Sequence, residues 1–429
     1  MNYNNDHYFK KLDNVAAFYA STTTIYNPNI YRLSVRLKEK VVSSKLEEAL
    51  KDTLISIPTF AVKLQRGFFW YYLEHNHDLP IISEDTHFPL RPINNINNNY
   101  FLFKVTYYEK RINVDFSHIL TDGTGALYFL KTLVINYLKI SHPKGISKKI
   151  TTDAEKLSIH EANDDSFLKH FDAPIDKRKV VKKNDTDAFH LRNKSKKNTI
   201  DVILGSMSVT ELKMLTKEKG VTITAYLIAL LIYSIYHGRY KYTKSIKPIT
   251  IAVPVNLRNH FPSTSMNNFF STIIINLDVM KKDYSFDDVL EIVSSEMKRE
   301  LDKDVLLNNF KNYVRLHKNI VLRFIPLFIK DLILREVNRV VSKRGATSSL
   351  SNIGVIKMPD EVSKYIDKFD MLSYIDNSTH LKLGICSFND NLSISFSSAL
   401  NDTEIVRTFF TALSSNGVNI NISSSGGVK

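Results

Sequence analysis

Cysteine is nearly absent from this sequence: Cys386 stands alone among 429 residues, so no internal disulfide can form and the reducing cytoplasm is the expected compartment. Long apolar runs are missing too. The most apolar stretch, AYLIALLIYSIY at 225–236, falls short of the roughly 20 residues that cross a bilayer. It reads as a buried core helix, and no integral membrane segment is expected. The first twenty residues, MNYNNDHYFKKLDNVAAFYA, do not order charged, apolar and small residues as a secretory signal does, so export is not expected. Also lacking are the GxSxG elbow of serine hydrolases, the P-loop and dinucleotide glycine patterns, and any helix-turn-helix, RNA-recognition or zinc-finger signature. Covalent serine chemistry and nucleic-acid binding therefore have no motif behind them.

Hydrophobic residues make up 43% of the chain, enough for the cores of two or three domains. Lys and Arg number 58 against 44 Asp and Glu, a formal charge of +14, which permits attraction to phosphate on nucleic acid, lipid or a nucleotide-bearing cofactor without choosing among them. Much of the excess sits in KRKVVKK (177–183) and RNKSKKN (192–198), where large apolar residues thin out. That composition reads as a solvated linker. It divides the chain into an N-terminal half (1–140), a lysine-rich linker (141–199) and a C-terminal half (200–429).

Local patterns outline the elements. Tyr31, Leu33, Val35 and Leu37 alternate with Arg32, Ser34 and Arg36, as in a half-buried strand. Ser44 with Glu47, Ser208 with Glu211 and Asn401 with Glu404 carry helix-capping spacing, and another capped helix follows Ser285. FLFKVTYYEKRINVDF (101–116) reads as two strands joined near Glu109 and Lys110; 249–255 and 271–277 are β-branched strands. LKLGICSF and LSISFSSAL flank an Asn-Asp-Asn turn as a hairpin. NIVLRFIPLFIKDLILREV (319–337) is an apolar helical stretch broken at Pro326, expected to face the core rather than lipid or a greasy substrate. Strands pairing mostly antiparallel with helices between them predict an α+β fold in two halves, with a ligand site favoured in the cleft between.

FSHILTDGTG (116–125) lies where the second of the two strands stops and a helix begins. A neutral imidazole at His118 can take a proton from an alcohol, thiol or amine near physiological pH. Asp122 either touches that imidazole or turns inward to an arginine as a brace; the spacing leaves both open. Gly123 and Gly125 are expected to let the backbone turn sharply. His75, His77, His118 and Asp122 offer no further ligand at a zinc spacing, so no metal site is expected.

SHILTDG resembles the HxxxDG core of the superfamily of chloramphenicol acetyltransferase-like enzymes, nonribosomal peptide condensation domains, wax ester synthases and alcohol O-acetyltransferases. PVNLRNHFPS (254–263), SLSNIG (349–354) and the order of elements across nearly the whole chain are similar to bacterial alcohol acetyltransferase-like members. The resemblance implies two chloramphenicol acetyltransferase-like halves around a central tunnel, with an acyl thioester entering from one face and the acceptor from the other. It implies His118 as general base in a ternary complex without an acyl-enzyme, and a chiefly structural Asp122 held through an arginine, for which Arg258 is the candidate. Ser351 and Asn352 match an SN element by the tunnel, where they would orient an acyl carbonyl or, as preferred here, hold a turn before Gly354. Ser117 stands where many members carry an additional histidine, a departure that bears on loop packing more than on catalysis.

The implied donor is acyl-CoA as co-substrate, with no tightly bound cofactor, and the acceptor a small alcohol or amine. The adenosine end would be held by scattered lysines. Two other readings stay open: a donor on an acyl or peptidyl carrier protein docking on the basic linker, and a catalytically silent basic scaffold.

Overall fold

The computed structural model describes residues 9–85, 89–93, 96–176, 187–191, 200–279, 283–319, 324–376 and 378–424. The N-terminal part runs through β1 (Phe9–Lys11), α1 (Asn14–Thr22), β2 (Ile30–Leu37), α2 (Ser43–Ser56), β3 (Val62–Arg66), β4 (Tyr71–His75), β5 (Ser83–Glu84), β6 (Phe103–Tyr108), β7 (Arg111–Ser117) and α3 (Gly123–Ser141). Short helices α4 (Ile159–Ala162) and α5 (Ser166–Lys169) lie in the connecting stretch. Beyond it come β8 (Asp201–Ser208), α6 (Val209–Glu218), α7 (Ile223–Gly238), β9 (Ile249–Asn256), β10 (Phe270–Leu277), α8 (Phe286–Glu300), α9 (Lys303–Lys318) and α10 (Leu327–Arg344). The chain closes with β11 (Ser348–Ile356), α11 (Asp360–Ser363), β12 (Ile366–Ser373), β13 (Leu381–Phe388), β14 (Asn391–Ser398), α12 (Glu404–Ser415) and β15 (Ile420–Ser424).

The architecture is α+β. A sheet of order β12-β2-β7-β6-β5 and one of order β10-β9-β11-β13-β14-β8-β15 each carry helices, and β1-β4-β3 forms a small third sheet. Most pairs are antiparallel; β11 runs parallel to both β9 and β13, and β5 to β6. Two large cores result, one packed around α7 and the seven-stranded sheet, the other around α3 and the five-stranded sheet. Helix α7, whose residues Tyr226 to Ile232 are all buried, belongs to the former. Among the described residues no single helix is long and apolar enough to cross a membrane.

The boundary at residue 200 does not separate the halves cleanly. Strand β12 leaves the C-terminal part and pairs along the edge of β2, with Phe369 opposite Val35 and Met371 opposite Leu33. An unpaired edge of β2 would present a row of backbone donors and acceptors, and β12 satisfies them. The crossover also explains why Arg32 and Ser34 are buried, against the half-buried reading of β2. The strand is central in its sheet, and its polar face is satisfied internally: Arg32 donates to both oxygens of Asp115 (2.7 and 2.8 Å), and Ser34 Oγ to Asn113 Oδ1 (2.7 Å).

Other local expectations also shift. Helix α2 starts at Ser43 with Val42 at its cap and no side-chain cap bond, so the Ser44–Glu47 box does not form. Thr403, not Asn401, precedes α12. Ser208 does cap α6, but the Glu211 carboxylate turns to Asn419 instead of back to the cap. The 141–199 segment is less solvated than its composition suggests, since Ile146, Ala162, Phe167 and Leu191 are buried. Both basic stretches, 177–183 and 192–198, lie outside the described residues. Helix α10 departs furthest: its apolar side chains Phe328, Leu332 and Val341 face outward rather than into the core.

Candidate active site

Strand β7 buries Ile112, Val114 and Phe116 and then stops, because the next residues turn their hydrogen bonds elsewhere. The amide of His118 donates to Asn29 O (3.0 Å), that of Leu120 to Ser117 O (2.9 Å) and that of Ile119 to Ser117 Oγ (3.2 Å). Ser117 is thus a buried turn residue. Asp122 then caps α3, its Oδ1 accepting from the amides of Thr124 (3.0 Å) and Gly125 (3.2 Å). A carboxylate there satisfies free helix N–H groups and complements the positive end of the helix dipole.

The other oxygen of Asp122 points to the C-terminal half. Oδ2 accepts from Arg258 Nη1 at 2.7 Å and from the Phe269 amide at 2.8 Å, both ionic side chains being almost wholly buried. The Arg258 guanidinium also donates to Ser265 O (2.8 Å), Asn267 O (2.6 Å), Asn256 Oδ1 (3.3 Å) and Phe269 O (3.4 Å), so a planar cation with several donors binds five separate acceptors at once. Asp122 therefore spends its hydrogen-bonding capacity on a helix start, an arginine and the Phe269 amide, with four bonds and none to the imidazole.

The glycines have different uses from the expected one. Both lie in the first turn of α3 without positive φ, so neither serves a left-handed turn. A Cβ on Gly123 would meet only Ile353 at an ordinary 3.6 Å. One on Gly125 would fall 2.1 Å from Thr121 Oγ1 and 2.4 Å from Met266 O. Gly125 is required for close approach: Thr121 Oγ1 donates to Met266 O (2.6 Å) across the gap that a methyl would fill.

His118 sits in an aromatic slot, stacked on Tyr19 (centroids 4.9 Å apart) and tilted against Tyr31 (4.5 Å) and Phe270 (5.8 Å). It keeps some accessible surface while its sequence neighbours are buried. Removal from water disfavours the imidazolium and pulls the pKa down to about 4; the Asp122 charge opposes this only in part, and Lys382 adds to the fall. The ring is neutral at pH 7. Its Nδ1 is buried without a hydrogen-bond partner among the described residues.

Three residues that motif reading did not reach complete the site. Asn268 Nδ2 donates to His118 O (3.0 Å) and to Asp13 Oδ2 (3.2 Å), while the Asn268 amide donates to the same Asp13 oxygen (3.1 Å). Asp13 Oδ1 caps α1 through the Ala16 amide (2.7 Å), and α1 presents Tyr19 to the imidazole. Burial raises the Asp13 pKa to about 6, with its hydrogen bonds from Ala16 and Asn268 opposing the rise. The Tyr31 hydroxyl donates to Thr121 O (3.2 Å), and burial raises its pKa. A cap pattern before α1 was readable at Asp13; nothing local marks Asn268.

Ser351 and Asn352 lie in β11 opposite Gly384 and Ile385. Asn352 Oδ1 accepts from the Gly354 amide (2.8 Å), Gly354 has φ +81°, and Asn352 Nδ2 donates to Thr224 Oγ1 (3.0 Å), the geometry of a side-chain-held turn. Their neighbour Ile353 is the residue facing Gly123, so the turn abuts the start of α3. His75 and His77 pack on each other (4.6 Å) at the end of β4, in a different sheet from β7, the strand that leads to His118. Two surface hollows, of about 60 Å³ beside Tyr137 and about 310 Å³ beside Leu50, contain none of the candidate site residues.

No protein-family model and no curated protein matches the chain. Solved structures do. F. graminearum TRI101 complexed with coenzyme A and T-2 mycotoxin aligns at TM-score 0.62 and 11% identity, over 96% of this chain and 99% of that one. The trichothecene 15-O-acetyltransferase TRI3 of Fusarium sporotrichioides aligns at 0.59 and 11%, over 97% and 96%. The epimerization domain from the third module of tyrocidine synthetase B aligns at 0.57 and 11%, over 96% and 95%. At these identities the likeness is one of fold, and it spans nearly the whole of each chain.

Proposed function

We propose that this chain, which has the two-lobed fold of the chloramphenicol acetyltransferase-like and condensation-domain superfamily, is an acyltransferase that moves an acyl group, acetyl in the first instance, from a CoA thioester to an alcohol-type acceptor. The observation that carries the reading is His118: a neutral, partly accessible imidazole held between aromatic rings at the end of β7. Donor and acceptor bind together. As the acceptor oxygen attacks the thioester carbon, its proton passes to the imidazole; the carbon–sulfur bond then breaks and the imidazolium returns the proton to the leaving thiolate. A base whose pKa lies near 4 does not deprotonate an alcohol beforehand, so the transfer accompanies attack. Positioned general-base help of this kind contributes about 10² to 10⁴ in rate.

Asp122 and Arg258 act as positioning residues that tie the loop to the C-terminal half, Gly125 permits that approach, and Asn352, beside Ser351 in β11, holds the neighbouring turn. The adenosine phosphates fall to scattered lysines in a chain of net charge +14. A second reading, with the donor on a carrier protein, keeps the same proton path; the likeness to a synthetase domain favours giving it an arm in the test.

The test follows thiol release from acetyl-, butyryl- and longer acyl-CoA with a panel of alcohols and amines. Acceptor-dependent release that falls at least about a hundredfold in His118→Ala is the expected result. Release that survives the substitution unchanged would refute the base. Transfer from an acylated carrier protein alone would move the donor to the second reading, and activity with neither donor would leave the scaffold reading.

A further inference from the structure

The outward face of α10 is continuous with another exposed apolar element. The turn between β3 and β4 holds Phe68, Phe69 and Trp70, and it sits on the start of α10: the Leu327 amide donates to Phe68 O (2.8 Å), Lys330 Nζ to Phe69 O (2.9 Å), and the Phe69 and Phe324 rings lie 6.3 Å apart. Phe68, Trp70, Phe324, Phe328, Leu332 and Val341 are each 59–72% exposed. The chain's only tryptophan is among them. Scattered surface apolar residues are ordinary, but a cluster of aromatic and branched side chains on two adjoining elements is not.

Charge in the same region is mostly positive. Residues 324–344 contain Lys330, Arg335, Arg339, Lys343 and Arg344 against Asp331 and Glu336. Asp331 is buried and bound by Tyr71 (2.9 Å) and Arg66 (3.3 Å); at the surface Glu336 pairs with Arg339 (2.8 Å) and Asp187 lies 3.9 Å from Arg344, so the cations of 324–344 still outnumber the acids that face them. Aromatic and aliphatic side chains beside a surplus of cations match the chemistry of a bilayer interface carrying anionic headgroups, where apolar groups enter the acyl boundary and cations face the phosphates. A second protein surface would need acidic groups opposite this face, and a second copy of this chain would bring its own cations.

We propose that this face, built from the β3–β4 turn and α10, docks the protein peripherally on anionic lipid. Docking stands on the surface alone and does not depend on the acyltransferase reading. The placement would serve that reading: α10 lies against α1, Arg335 Nε donating to Ser21 O (3.0 Å), and α1 carries the Tyr19 that stacks on His118. The docked face is one helix from the imidazole, which suits an acceptor or acyl chain that dissolves in lipid.

The full chain is sedimented with vesicles of phosphatidylcholine alone and of phosphatidylcholine with phosphatidylglycerol. Binding to the anionic vesicles that weakens with added salt, and falls about tenfold or more in Trp70→Ser/Phe328→Ser, is the expected result. Arg344→Gln, an exposed change that removes a cation 3.9 Å from Asp187 and leaves the apolar face whole, should weaken anionic binding alone. Both variants should keep wild-type circular dichroism and wild-type thiol release with water-soluble substrates, since none of these residues belongs to the site. Failure to bind either vesicle, or binding that both variants leave unchanged, overturns the proposal. A concentration-dependent dimer in ultracentrifugation that the apolar substitutions dissolve, without vesicle binding, assigns the face to a second copy and also overturns it.

Discussion

Asp122→Asn changes one atom in a side chain that accepts four hydrogen bonds, two at each oxygen. With its oxygen kept toward Thr124 and Gly125, the new amide turns donor hydrogens on Arg258 Nη1 and the Phe269 amide, which are donors themselves. Flipped, it does the same to the helix start. Either way a guanidinium whose side chain is only 8% exposed loses its counter-charge. Breaking a buried ion pair from one side costs about 3–5 kcal/mol, and the bonds Arg258 keeps to Ser265 O and Asn267 O favour the lower end, about 3 kcal/mol. Urea unfolding should show the midpoint falling with an unchanged slope, and Arg258→Gln combined with Asp122→Asn should cost less than the sum of the two by about 2 kcal/mol. The pH dependence separates brace from base. Because the Asp122 charge raises the His118 pKa, neutralising it should move the acid limb of kcat/KM to lower pH. Stability within about 0.5 kcal/mol of wild type, or an acid limb displaced upward, would refute the brace.

His118→Ala should fold and lose about 10² to 10⁴ of kcat in the thiol-release assay, and the wild-type rate should be flat above neutrality and fall only as pH drops toward 4. Gly125→Ala should cost about 1–3 kcal/mol in thermal or urea unfolding, since its methyl meets Thr121 and Met266, whereas Gly123→Ala should be neutral or slightly stabilising because it has room in a helical turn. Two groups oppose each other in stability against pH. His118, with folded pKa about 4 and ordinary value 6.5, loses stability as pH falls through 6.5 to 4, because the unfolded chain takes the proton first. Asp13, with folded pKa about 6 against 3.8, gains stability as pH falls through 6 to 3.8, because the folded chain takes it first. Each amounts to about 3 kcal/mol and they largely cancel in the wild type. Stability curves of His118→Ala should therefore rise from pH 6.5 to 4 relative to wild type; a falling difference would contradict the assignment.

Legibility was uneven for reasons particular residues make clear. The strands read at 101–116 and 249–255 agree to within a few residues with β6, β7 and β9, because β-branched and aromatic alternation is local. The capping spacing at Ser285 was readable because the bonds lie within one turn; the same spacing at Ser44 failed because α2 begins two residues earlier, with Val42 at its cap and the Val42 amide donating to the Tyr137 hydroxyl. Helix α10 misled because its composition is that of a core helix, and composition carries no information on which face another element will cover. Gly125 was singled out for the wrong property, backbone freedom, since the atoms that exclude a methyl belong partly to Met266, over a hundred residues away.

The sequence by itself determined the α+β pattern and the strand–loop–helix setting of FSHILTDGTG, because alternation along a strand and the residues that open a helix act through neighbours in the chain. Only the tertiary structure decided which way Asp122 points, that Arg258, Asn268 and Asp13 converge on the loop, that aromatic rings from α1, β2 and β10 desolvate His118, and that β12 crosses to the other sheet. Those outcomes depend on contacts between segments up to hundreds of residues apart, and on the loss of water when they close, which no local spacing encodes.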